Sequence, residues 1–285
     1  MFPRAALVVV AAVILTTAPR AHAYCRTTAA TIPPGYDPAV DGCYGGTPLA
    51  WASMPVTYQI FRGASTQASL ADVTSVIDRS FAKWAAVSCS ATDATSHPEL
   101  SITDLGPTDV PDPCDGATPC PLTADSTHGI YFRDDSWPYQ DSANELALTT
   151  ITYGVDDGHI FSAVMEINSH QHAFSSSVPA PSGSYSLEAV VTHEAGHFIG
   201  MAHSQETGAI MYAFYQPDAV TLTDDDIAGV CAIYPKTTPS ASSSGCGLAP
   251  PGENGAASVG VVAVIAVAAG YGRRRRSKAS RAAVA

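Results

Sequence analysis

Residues 193–204 read His193-Glu194-Ala195-Gly196-His197-Phe198-Ile199-Gly200-Met201-Ala202-His203-Ser204. On a helix, His193 and His197 stand about 40° apart on one face, one turn above the other, and can converge on a single metal ion. Glu194 lies roughly 60° around from His197, near enough to hold a water on that metal but badly aimed to ligate it, which suits a general base. A continued helix would carry His203 about 9 Å beyond His197, so the chain must turn back for a third imidazole to join. Gly200 is where it can turn, because glycine accepts positive φ without steric cost. Three imidazoles and one water make an open tetrahedral zinc site, and the chemistry such a site implies is hydrolysis of a peptide bond.

The flanks support a helix here. Leu187, Val190, Val191 and Ala195 form an apolar stripe, and Ser186 or Ser184 can serve as N-cap. With Gly200 and His203 at these offsets and Met211 eight residues further on, the stretch resembles the HExxHxxGxxH signature of the metzincin metallopeptidases. Ser204 after the third histidine, together with Ile210-Met211-Tyr212, is similar to the matrixins, the group that contains the matrix metalloproteinases; an astacin-like reading stands second. The resemblance implies an α+β metzincin fold. Its parts are a twisted, mainly parallel five-stranded sheet with an antiparallel edge strand, a long backing helix, an active-site helix and a C-terminal helix.

By the same resemblance His193, His197 and His203 ligate one catalytic zinc, Glu194 is the catalytic base, and Met211 forms the Met-turn beneath the ligands. Ala213, Phe214 and Tyr215 would form the wall of a specificity pocket for an apolar side chain, with Ala213 where the family often has proline. The activity implied is that of a zinc metalloendopeptidase acting on protein or peptide substrates. The alternative is a surface adhesion or binding protein that keeps the fold without turnover.

Local patterns fill in the rest of residues 55–236, the expected catalytic domain. Val56-Thr57-Tyr58-Gln59-Ile60-Phe61 alternates as a strand does, and residues 69–87 carry Leu70, Val73, Val76, Ile77, Phe81 and Trp84 at helical spacing. Residues 100–102, 129–132, 145–153 and 159–168 read as further strands. The resemblance makes 145–153 the edge strand beside the zinc, which would pair with substrate backbone. Thr223 is placed to cap a final helix whose Asp224, Asp225 and Asp226 meet the positive end of its macrodipole. The second, structural zinc of the matrix metalloproteinases has no matching pattern, although His170, His172, Asp156, Asp157 and His159 could build a different site. Calcium is the other ion the Asp-rich loops would take.

Charge excludes one class of partner. Between Tyr24 and Gly245 there are 6 Lys and Arg against 25 Asp and Glu, a surface that repels phosphate backbones and argues against nucleic acid. A monomer is expected.

Both ends suggest export. Residues 1–23 read as a signal peptide, with Arg4, an apolar run and Ala21-His22-Ala23 as cleavage site. Residues 24–54 form an N-terminal cysteine-containing segment, and 237–245 a Ser, Thr and Pro linker. Residues 246–285 resemble a myxobacterial C-terminal sorting tail: Cys246, a short transmembrane segment at 256–272 and a basic end at Arg273 to Arg276. A processing enzyme would act near Cys246, the tail would be the sole membrane contact, and the protein would be displayed at the cell surface or outer membrane or released. Six of the 7 cysteines lie in the body. Cys114 with Cys120, Cys25 with Cys43 and Cys89 with Cys231 is one pairing among about 15, and Cys25 as a zinc-capping switch is a competing role.

Overall fold

In the computed structural model, which describes residues 23–115, 120–123, 126–139, 143–217, 219–236 and 259–268, the chain enters the fold through two short strands, β1 (Cys25–Arg26) and β2 (Ala50–Trp51). Strand β3 (Val56–Phe61) then buries Val56, Tyr58 and Ile60 on one face, as its alternation requires. Helix α1 (Leu70–Ala86) begins at Ser69, whose side chain accepts from Asp72 N–H, and ends at Val87. Its buried stripe is Val73, Val76, Ile77, Phe81 and Trp84.

Strand β4 (Ile102–Thr108) shares only Ile102 with the strand expected at 100–102 and continues to Thr108. Gly106 and Pro107 look like strand breakers. At a sheet edge, however, a proline costs no ladder bond, and Gly106 at φ 86° sits where the register with β3 shifts. Strands β5 (Gly129–Phe132), β6 (Glu145–Gly154) and β7 (His159–Ile167) follow close to expectation. Every residue of β6 is buried, which explains a continuous Leu, Ala, Thr and Ile run in place of alternation.

Two-residue strands β8 (Phe174–Ser175) and β9 (Tyr185–Ser186) lead into α2 (Leu187–Phe198), the helix of the histidine motif, and β10 (Met201–Ala202) leaves it. Helix α3 (Asp224–Ile233) and strand β11 (Val259–Ala268) complete the order. The main sheet runs β6-β7-β5-β3-β4, parallel except for the antiparallel β6–β7 pair, as the metzincin reading expects. Outside β6 lies β11, antiparallel to it, so β6 is not the margin of the observed sheet.

The N-terminal segment is part of the domain. β1 pairs with β10, Thr27 N–H donates to Gly200 O at 2.9 Å, and Thr27 Oγ1 donates to Met201 O at 2.8 Å. Disulfides join Cys25–Cys43, Cys89–Cys231 and Cys114–Cys120. Cys25 is therefore a structural half-cystine, and the zinc-capping role does not hold.

The signal peptide through His22, the linker, Cys246 and the basic end lie outside the described residues. Of the apolar stretch expected to span a bilayer, residues 259–268 are extended on β6 and not helical. Among the described residues no helix is long and apolar enough to cross a membrane.

Candidate metal centre and active site

Helix α2 is buried along its whole length, and both of its ends are closed by side chains. Ser186 caps its N-terminus, accepting from Ala189 N–H at 3.2 Å, and Ser186 N–H in turn donates to Tyr215 Oη at 2.9 Å. At the C-terminus the carbonyls that a helix leaves orphaned are taken up by aromatic donors. Trp51 Nε1 donates to Phe198 O at 2.8 Å and Tyr234 Oη to Ile199 O at 2.9 Å. Gly200 then turns the chain at φ 97°, and a side chain there would meet Leu49 O at 2.7 Å. That close approach and the positive φ together require glycine.

This turn delivers His203 to the first two histidines. Ring centroids stand 4.8 Å apart for His193–His197, 5.3 Å for His193–His203 and 4.8 Å for His197–His203. The ligand atoms of all three lie within 4.8 Å of one another. His193 Nδ1 faces Ile210 O at 2.6 Å and His197 Nδ1 faces Met201 O at 2.9 Å. A carbonyl can only accept, so each Nδ1 carries the proton and each Nε2 presents its lone pair inward.

Burial pushes the His193 imidazole down to about 4, and burial with the neighbouring rings holds His197 and His203 well below their usual value. All three are thus neutral, the form that ligates. His203 Nε2 is buried without a hydrogen-bond partner. A buried, unpartnered ring nitrogen near two imidazoles that present Nε2 lone pairs is a donor set that suits a tetrahedral zinc site, so these residues fit the metal.

Glu194 sits beside them, fully buried on α2. Thr149 Oγ1 on β6 donates to its Oε2 at 2.6 Å, while Oε1 is buried and unpartnered. Burial pushes this carboxyl up to about 8, against the Thr149 bond, which pulls it down. With one oxygen fixed by Thr149 and the other bare, the carboxylate is placed to accept and return a proton.

Beside the three histidines, the turn that carries Met211 is held from α3. Asp226, wholly buried, accepts from Ile210 N–H at 2.9 Å and Met211 N–H at 3.0 Å as well as from Thr223 N–H at 2.8 Å. Through Ile210 O it thereby sets the position of the His193 ring. Its neighbour Asp225 accepts from Ser204 Oγ at 2.7 Å and from Tyr24 N–H at 3.1 Å. The sequence showed these aspartates only as first-turn charges facing the helix macrodipole, because that is a local signal and a bond to a turn 15 residues away is not. Met211 itself lies directly against α2: a methyl at Gly196 would stand 2.2 Å from Met211 Sδ and 2.8 Å from Trp84 Cζ2.

Of the expected pocket wall, Phe214 and Tyr215 line a depression beside His193 together with Ala189, Ile210, Tyr212 and Ala219. Ala213 is buried and does not line it. The other expected metal site does not assemble among the described residues. His159 Nδ1 pairs with Asp157 at 3.0 Å, His170 Nδ1 faces Asp134 O at 3.1 Å, and His172 packs edge-on to Tyr185. The second acidic group that does form, Asp112 with Glu166 near Cys114, is bridged by Arg133 at 2.9 and 2.6 Å, and Cys114 is a half-cystine. That group is a buried ion-pair cluster tying the Cys114–Cys120 loop to β7.

Comparison with known proteins points the same way. The matrixin family model matches residues 50–235. Metalloendoproteinase 1-MMP of Arabidopsis thaliana is 48% identical over 50 residues, 17% of this chain and 14% of that protein. Neutrophil collagenase of Homo sapiens is 46% identical over 56 residues, 19% of this chain and 12% of that protein. Matrilysin of Mus musculus is 31% identical over 121 residues, 40% of this chain and 42% of that protein. The chain therefore spans less than half the length of each of these relatives.

Proposed function

Because the chain belongs to the matrixin family, we propose that it is a zinc-dependent endopeptidase whose ligands are His193, His197 and His203 and whose general base is Glu194. The observation that carries this reading is the convergence of three neutral imidazoles on one point beside a carboxyl with a bare oxygen. A zinc ion bound there would supply Lewis acidity toward a carbonyl oxygen and acidify water.

The protein's own groups would do the rest. Glu194 Oε1 takes a proton from the attacking water and returns it to the leaving amine, while Thr149 holds Oε2 so that the carboxyl does not swing away. The outer edge of β6, which β11 occupies in the structure, would bind an extended peptide through main-chain hydrogen bonds once β11 is displaced. Phe214 and Tyr215 receive an apolar side chain in the depression beside His193. Extracellular proteins are the proposed substrates, reached by export through residues 1–23. The reading as an adhesion protein without turnover fits less well, because it leaves the fixed, proton-accepting Glu194 without a task.

The test uses the whole chain and, in parallel, the chain cut within the 237–245 linker, on a quenched protein substrate with and without a chelator. Glu194→Gln should keep one zinc per chain and lose turnover by about 10²-fold or more. Near-normal activity in that variant would remove Glu194 from the mechanism.

A further inference from the structure

We propose that β11, residues 259–268 of the tail, is the chain's own occupant of the substrate-binding edge of β6 and holds the site closed until it is displaced. The proposal rests on the peptidase reading above and adds to it the regulation of that same site.

Three observations place β11 there. It pairs antiparallel with β6 from Val259↔Gly154 through Ala268↔Glu145, the whole length of the strand. It also lies against α2, the helix that carries His193, Glu194 and His197. Within the ladder Val264 is the partner of Thr149, the residue whose hydroxyl holds Glu194 Oε2 at 2.6 Å. The backbone of β11 thus crosses the site at the level of its base.

A sheet margin offers one row of N–H and C=O groups, so β6 cannot pair with β11 and with an extended substrate at once. Occupancy is therefore competitive by geometry. The residues suit the role: Val259-Gly260-Val261-Val262-Ala263-Val264-Ile265-Ala266-Val267-Ala268 is uncharged, rich in β-branched Val and Ile and without proline, a composition that pairs readily at a strand-accepting edge. The tail is also tethered. Pairing is intramolecular, and the tether sets an effective concentration of order millimolar, against which a free peptide competes poorly. Cutting the chain ahead of β11 would lower that concentration to that of the protein itself, so a processing event near Cys246 would open the site.

The experiment compares the full chain with the full-chain double variant Ala263→Pro and Val264→Pro. Successive residues of an antiparallel strand point their N–H groups alternately toward and away from the partner, so one of two consecutive prolines removes a ladder donor to β6. The first readout is hydrogen exchange of the β6 amides at 145–154, made on the Glu194→Gln background so that it does not depend on turnover. The second is cleavage of a quenched peptide with Glu194 intact. The expected result is exchange at least tenfold faster on β6 in the proline variant, with turnover raised at least tenfold.

Unchanged exchange overturns the proposal, and so does faster exchange with turnover that is measurable and equal in the two chains. Faster exchange with no turnover in either chain leaves β11 as the occupant of the edge and defeats the peptidase reading instead. Equal turnover with unchanged exchange does the reverse, and would mean that the tail lies elsewhere, for instance in a lipid phase.

Discussion

Thr149 Oγ1 lies 2.6 Å from Glu194 Oε2, so the middle of β6 is joined through one hydroxyl to the carboxyl beside the three imidazoles. The strand that would bind substrate backbone is thus in direct contact with the group that would move the proton. Thr149→Val keeps the shape and deletes the donor. Since a hydrogen bond to a charged group is worth about 1.5–3 kcal/mol, kcat should fall roughly 10- to 100-fold with KM little changed. Thr149→Ser should restore most of it. Kinetics on the chain cut in its linker would decide, and a loss confined to KM would move Thr149 from proton control to substrate binding.

What the sequence made legible was local. The α1 stripe and the histidine spacing follow from helical periodicity and the caps at Thr223 and at Ser186, one of two candidates there, from local residue type, and the structure keeps them, whereas the cap at Ser69 was not read. What it hid depends on distant backbone. Thr27 supports the Gly200 turn through main-chain groups that no side-chain pattern reports. Thr149 looked like one β-branched strand residue among several, and Asp226 like one aspartate of three in a first turn. Ala213 was read from its match to the proline position of the family's pocket wall, but it is buried and does not line the depression beside His193. The run at 259–268 is apolar at every position, and such a run does not distinguish a span from a strand by period.

Gly196 is the place where two helix rules oppose each other. Glycine to alanine inside an exposed helix gains about 1 kcal/mol. Here the added methyl would meet Met211 Sδ at 2.2 Å and Trp84 Cζ2 at 2.8 Å. The thioether can yield, but the Trp84 ring is fully buried and its Nε1 is bonded to Thr192 O at 2.9 Å. Overpacking of about 1–3 kcal/mol should therefore win, and Gly196→Ala should lower the melting temperature and weaken zinc retention. A higher melting temperature would show that Met211 repacks freely and is no rigid floor.

Asp226→Asn tests the support of the Met-turn from α3. The carboxylate accepts from the Ile210, Met211 and Thr223 N–H groups and from Thr223 Oγ1 at 2.8 Å. An amide must turn its NH2 toward some of these donors and leave them buried without an acceptor, at a cost of about 1–3 kcal/mol. Urea unfolding should show that loss. Zinc affinity should fall with it, because Ile210 O orients the His193 ring. Lost stability with unaltered zinc affinity would confine Asp226 to capping α3.

Glu188, in the first turn of α2, ties that helix to α1 through Lys83 Nζ at 2.6 Å and Arg79 Nη2 at 2.8 Å. Burial works to raise its carboxyl, but the bonds from Lys83 and Arg79 outweigh it and hold the group below its ordinary 4.5. The native state therefore releases this proton more readily than the unfolded chain. Just below pH 4.5 the unfolded chain binds more protons, so stability drops as the pH falls through that window and is complete above it. Arg79 is half exposed, and solvent screening limits the whole contribution to about 1 kcal/mol. Glu188→Gln should be less stable than the parent near neutral pH by that amount, with the difference closing as the pH falls from 4.5 through the lower native value. Parallel denaturation curves across that range settle it: a gap that stays constant would show that packing of the side chain, and not its charge, holds α2 to α1.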